Sequence, residues 1–174
     1  MKRTLYIIAV FILCTAAVAL AMSHMADVKA HSSCKYCGMD RHKFAHSRML
    51  IKYDDGTEVG TCSIHCAALD LALNIDKSPA DIMVGDFNDK SLINAEEATW
   101  VLGGDKKGVM TSRAKWAFAD GGSAEKFANE HGGEIVDFDL VMSATYSDMY
   151  KDTKMIRKMR AMRKSEKGHS GHGH

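Results

Sequence analysis

The chain of 174 residues contains one proline and carries almost no net charge, with 23 Lys+Arg against 22 Asp+Glu. Without a global basic excess there is no charge signature for nucleic acid, so any basic patch must be local. The scarcity of proline, together with 46% apolar and 26% charged residues, excludes a disordered low-complexity chain and leaves enough apolar material for a packed core. The length excludes a large multidomain enzyme and allows one compact domain, or two small ones sharing a core. Catalytic signatures are missing too: there is no His-Glu-x-x-His and no Gly-x-Ser-x-Gly, and Gly103-Gly104 lacks the strand-loop-helix setting of a phosphate loop. The acidic pairs Asp54-Asp55 and Glu96-Glu97 read as turn and surface residues, and the chain is not expected to be an enzyme. What it has in excess is soft ligand chemistry, with 12 Met, 5 Cys and 9 His.

Lys2 and Arg3 precede the uncharged run from Leu5 to Ala21, which ends in the small-x-small pattern Ala19-Leu20-Ala21. Residues 1–21 therefore read as a secretory signal. An uncleaved N-terminal anchor is the alternative, because the run is close to the roughly 18–20 residues that span a bilayer. Either reading places the remainder in the periplasm or another extracytoplasmic compartment, free or anchored to the inner membrane. Cys14 lies inside the run beside Leu13, without the small-residue context of a lipoprotein cleavage site, so four cysteines belong to the mature chain. In an oxidising compartment their default is two disulfides, and only spacing argues otherwise.

From Ala45 to Tyr53 a strand-like run meets Asp54-Asp55-Gly56-Thr57 and then Glu58 to Cys62, a hairpin with an Asp-Gly turn. Ser63 is placed to cap a helix whose Ile64, Ala67, Ala68 and Leu71 form an apolar stripe, and Asp81 to Phe87 reads as a strand. The second half repeats this order: strands over 98–102 and 113–119, a short helix capped by Ser123 and closed by Gly132-Gly133, and a strand over 134–144. The expected fold class is α+β, with two repeated ββαβ units (about 34–90 and 95–146) and mainly antiparallel sheets packed as one domain over 34–146. Residues 147–174 form a basic, Met- and His-rich tail. Met155, Met159 and Met162 fall at helical spacing beside Ile156, and the basic residues admit contact with an anionic membrane surface or an acidic partner. The terminal Gly/His tract ending at His174 has the composition of a weak divalent-metal binder.

Cys34-Lys35-Tyr36-Cys37-Gly38-Met39 places two thiols and a thioether within six residues, and Gly38 permits a turn that aims all three sulfurs at one centre. Cys62-Ser63-Ile64-His65-Cys66 adds a second pair at a hairpin-to-helix junction, where a helix N-terminus favours the thiolate. Three readings compete. Four cysteines in two pairs suit a structural zinc module, although Met39 then has no role and a body of this size needs no metal staple. A thiol-disulfide oxidoreductase would use Cys34 and Cys37, but the helix of a thioredoxin-like unit does not follow them. Cu(I) is the third reading, since thiolate together with thioether selects a soft monovalent ion over zinc.

The run Cys34 to Met39, the strand-turn-strand through Asp55-Gly56, and a second-half block resemble the NosL family, accessory proteins of nitrous oxide reductase. That block comprises Gly108-Val109-Met110, Trp116-Ala117-Phe118-Ala119, Phe127 and His131-Gly132-Gly133. The resemblance implies a duplicated ββαβ fold and one Cu(I) held by sulfur from both halves, with Cys37 and Met39 as the first-half ligands and Met110 as the second. It implies an extracytoplasmic metallochaperone delivering copper to a client enzyme, nitrous oxide reductase foremost, through that enzyme's membrane-bound maturation complex. Cys34 is placed to join the site. Cys62, His65 and Cys66 are additions to the family motif and would form either a second metal site or a modified first one.

Overall fold

The structure is a computed structural model that describes residues 25–169. Residues 1–21, read from the sequence as a secretory signal or anchor and containing Cys14, lie outside the described residues, as do His172 and His174 of the tail. Among those described, no helix is long and apolar enough to cross a membrane.

A short helix α1 (Ala26–Ala30) leads into the hairpin β1 (Met49–Tyr53) and β2 (Glu58–Thr61), helix α2 (Ile64–Leu73), and strands β3 (Pro79–Gly85) and β4 (Leu92–Asn94). Strands β5 (Thr99–Leu102) and β6 (Lys115–Phe118), helix α3 (Gly121–His131), strand β7 (Glu134–Val136) and a long helix α4 (Phe138–His169) follow. One sheet has the order β2-β1-β3-β4 and the other β6-β5-β7, with every pairing antiparallel. In both sheets the first strand of the half is central, flanked by its hairpin partner and by the strand that follows the helix. The two halves thus share one ββαβ topology, as the sequence pattern implies. The fold is α+β, with β4 appended to the first half.

Alternation along the strands explains how the two sheets share a core. Met49, Ile51 and Tyr53 of β1 point to one face, where they meet Trp100 of β5, Ala117 of β6 and Val136 of β7. The opposite face of the second sheet carries Val101, Trp116 and Phe118, which pack with Phe127 of α3 and with Cys34, Cys62 and Cys66. With both faces covered, all four residues of β6 are buried. The cysteines therefore sit on the side of the second sheet turned away from the main core.

Three local expectations are corrected. The strand expected over 45–53 begins at Met49, because residues 41–47 form turns closed by bonds such as Ser47 N to Phe44 O. Helix α3 is capped by Asp120, whose carboxylate accepts from the amides of Gly122 and Ser123, so Ser123 lies inside the helix. The strand expected over 134–144 ends at Val136. Asp137 accepts the Leu140 amide at 2.9 Å and starts α4, along which Phe138, Val141 and Thr145 are buried at helical spacing. That helix continues without a break through position 147, where the basic segment begins.

Candidate metal centre

Residues 34–39 fold back on themselves. The Cys34 amide donates to Met39 O at 2.8 Å and the Gly38 amide to Cys34 O at 2.9 Å. Gly38 takes a φ of +71°, a conformation that glycine adopts without a side-chain penalty. The turn is laid along β2 by the Lys35 amide, which donates to Gly60 O at 3.1 Å. Just past β2 comes Cys62, whose carbonyl accepts from Ser47 Oγ, and Cys66 follows in the first turn of α2, so both thiols face the Cys34–Cys37 turn.

The four thiols, Cys34, Cys37, Cys62 and Cys66, lie within 4.8 Å of one another. None is in a disulfide: Cys62 Sγ stands 3.4 Å from Cys37 Sγ and 3.9 Å from Cys66 Sγ, against the roughly 2.05 Å of a bonded pair. Cys62 is 0%, Cys66 1% and Cys34 2% exposed, while Cys37 is half-buried, so the cluster opens to the surface at one corner. Such crowding divides the protons unequally. Hydrogen bonds from Cys37, Cys62 and Cys66 hold the Cys34 thiol below its ordinary range. The bonds to Cys34 and Cys37, reinforced by burial, push Cys62 and Cys66 up. Cys37 is lowered to about 7: its bond with Cys34 opposes the shift, and its bonds with Cys62 and Cys66 outweigh it. A cation entering the cluster replaces the remaining protons, so binding releases them.

Asp70 of α2, fully buried, braces this arrangement. It accepts Lys35 Nζ at 3.0 Å and the hydroxyls of Tyr36 and Tyr53, tying both residues between Cys34 and Cys37 to the helix that carries Cys66. Burial alone would raise its carboxyl, but the bonds from Tyr36, Tyr53 and Lys35 prevail and hold it below the usual range. An outer layer of this kind fixes ligand orientation.

Met39 and Met110 are half-buried and pack against the cluster. With Cys37 they line a cavity of about 590 Å³. Met110 has a φ of +60°, rare for a side-chain-bearing residue; such a conformation costs on the order of 1–3 kcal/mol and persists where the surroundings impose it. His46 also lines the cavity, its ring against Phe87 and Trp116, and burial lowers its pKa and favours the neutral imidazole. The structure thus brings together Cys34, Cys37, Cys62 and Cys66, with Met39 and Met110 on the open side. His65 is not brought in. It is 5% exposed, its Nδ1 has no hydrogen-bond partner, and its electrostatic neighbours include Asp152 and Lys115. One position along a helix is a rotation of about 100°, enough to turn His65 away from the surface that Cys66 presents.

The far wall of the cavity is α4, which contributes Ile156, Met159, Arg160 and Arg163. Arg160 donates to the Cys37 carbonyl at 3.1 Å. Sequence reasoning places this segment in a basic, Met-bearing tail and names none of its residues as a ligand; the one available signal is the helical spacing of its methionines.

The NosL family model matches residues 25–146. Among solved structures, the copper chaperone NosL from Shewanella denitrificans is similar with a TM-score of 0.50 and 23% sequence identity, the match covering 62% of this chain and 87% of that one. At that identity the likeness is one of fold. No curated protein matches the chain.

Proposed function

The chain belongs to the NosL family, and on that premise we propose that it is an extracytoplasmic Cu(I) metallochaperone that delivers copper to a client enzyme, nitrous oxide reductase foremost. The protein is not an enzyme, its family being one of copper chaperones. The observation that carries the copper reading is the mixed donor set, in which four clustered thiols open through Cys37 onto a cavity lined by the thioethers of Met39 and Met110. Thiolate and thioether together suit a soft monovalent ion. The same four thiols favour a second reading, a zinc-stabilised interaction domain, since four thiolates form a structural zinc set. A structural zinc site is closed, however, and leaves the two methionines without a role.

Copper enters and leaves by ligand exchange. Three of the thiols are sealed in the interior, so an incoming ligand reaches the ion through the cavity, past Cys37. Lys43, Lys107, Arg160 and Arg163 line that cavity and no carboxylate lines it, so its mouth is cationic. A partner segment bearing sulfur or imidazole within an acidic stretch fits this opening. The uncharged apolar run over residues 5–21, preceded by Lys2 and Arg3, supports an extracytoplasmic location, and the client's membrane-bound maturation complex is the partner we assign.

Exchange and simple dissociation differ in kinetics. When the Cu(I)-loaded protein is mixed anaerobically with a disulfonated phenanthroline chelator, the transfer rate is expected to rise in proportion to chelator concentration and to fall with ionic strength, since the chelator is anionic. A rate independent of chelator concentration would make the protein a store that releases free ion.

A further inference from the structure

Helix α4 beyond residue 146 lies outside the segment matched by the family model, yet the domain holds it at successive turns. Asp148 accepts Lys115 Nζ and Arg113 Nε, both at 2.9 Å. Asp152 accepts the Ser112 amide at 2.9 Å and the Ser112 hydroxyl at 3.1 Å, and Arg160 reaches the Cys37 carbonyl. Positions 148, 152, 156, 159 and 163 fall on one stripe at spacings of three and four, so the bonds that dock the first turns carry Ile156 and Met159 over the cavity mouth. Of the five methionines in α4, at 142, 149, 155, 159 and 162, Met159 is the one that lines the cavity with Cys37, Met39 and Met110.

We propose that Met159 is a copper ligand, completing with Cys37, Met39 and Met110 an outer Cu(I) site through which the cargo leaves the buried thiols. The inference rests on the Cu(I) reading above and adds to it a ligand from this chain's own C-terminal extension. The charge balance gives the site its use. Copper among four thiolates lies in an anionic nest, whereas one thiolate, three thioethers and Cu(I) sum to zero, so an ion held there gives up less Coulomb energy on departure. Thioethers are soft and uncharged, and each reaches the cavity from a different element: the 34–39 turn, the loop before β6, and α4. Methionine has three rotatable bonds, so the Met159 sulfur can follow an ion toward the surface while the helix stays docked. Met159 as a mere filler of apolar surface would do as well with any side chain of its size.

Leucine makes that distinction. The full-length chain is labelled with selenomethionine, saturated anaerobically with Cu(I), and examined by X-ray absorption at the copper edge. The wild type is expected to show copper–selenium scattering that falls by about a third in Met159→Leu, one thioether of three, and is unchanged in Met162→Leu, where the methionine is 48% exposed. In competition with a chelator, Met159→Leu is expected to release copper roughly tenfold more readily, with Met162→Leu as the wild type. Far-ultraviolet circular dichroism checks that both variants keep the fold. Copper retained with a selenium contribution indifferent to Met159, or reduced equally by Met162→Leu, overturns the ligand role and leaves the carrier reading standing. A wild type that retains no Cu(I) overturns both.

Discussion

Cys62→Ala is expected to lower the affinity for Cu(I) by roughly a hundredfold or more, since removing even an outer-layer partner of a ligand costs about 10–100-fold. Among the four thiols Cys62 is the most fully sealed, and it stands close to two others, 3.4 Å from Cys37 Sγ and 3.9 Å from Cys66 Sγ. Without it three thiols, Cys34, Cys37 and Cys66, remain within 4.8 Å of one another, and the cluster loses its most deeply buried donor. The fold should persist, because losing one buried sulfur costs only about 1–2 kcal/mol. Chelator competition reads the affinity, and circular dichroism of the copper-free variant reads the fold. Unchanged affinity would mean that copper is held by Cys37, Met39 and Met110 alone and that Cys62 and Cys66 serve another purpose.

Asp27→Ala is expected to cost about 3–5 kcal/mol of folding stability, enough to unfold much of a marginally stable domain. Asp27 of α1 is the counter-ion of two arginines, accepting Arg41 Nη2 and Arg48 Nε at 2.8 Å each; both arginine side chains are 0% exposed. Arg41 also donates to the carbonyls of Thr61, Met49 and His31, which pins the sulfur turn to the end of β2. Its guanidinium lies so near Gly60 that a Cβ there would stand 2.8 Å from Arg41 Cζ, which explains a glycine in the middle of a strand. Removing the carboxylate takes from two buried guanidinium groups the counter-ion that they share. Burial by itself would raise the Asp27 carboxyl, but the bonds and charges of Arg48 and Arg41 outweigh it and hold it below its ordinary value. Its contribution is therefore complete above the ordinary carboxylate range and is lost as pH falls through the depressed value. Urea unfolding of the two proteins should show the difference at pH 7 and a narrowing gap under acid. Equal midpoints at neutral pH would contradict this account of α1.

The sulfur site was legible to the extent that it is local. A glycine between Cys37 and Met39 and a hairpin joining the turn to Cys62 are encoded in adjacent residues, and both pairs of thiols converge as their spacing implies. The repeated ββαβ order was legible for the same reason, since hairpin turns and helix stripes are short-range signals. What remained hidden depends on distant partners. Asp70 lies 34 residues from Tyr36 and Arg160 lies 123 from Cys37, so neither contact has a sequence signature. Glu134 to Ala144 reads as a strand because its apolar residues are dense; the capping carboxylate of Asp137 decides for the helix after three strand residues. Met110 entered through family resemblance, and the left-handed backbone that holds it at the cavity is invisible in its own sequence. His65 fits a metal-ligand pattern by spacing, but the phase of α2 turns it toward α4.

A sulfur cluster built for Cu(I) must discriminate against Zn(II). Anaerobic competition of the full chain for the two ions against chelators of graded strength, repeated for Met39→Leu and Met110→Leu, reads that discrimination. Cu(I) is expected to be held against chelators that strip Zn(II), with each methionine substitution weakening Cu(I) binding and leaving Zn(II) unaffected. Tight Zn(II) binding that displaces Cu(I) and is indifferent to both methionines would contradict the copper reading.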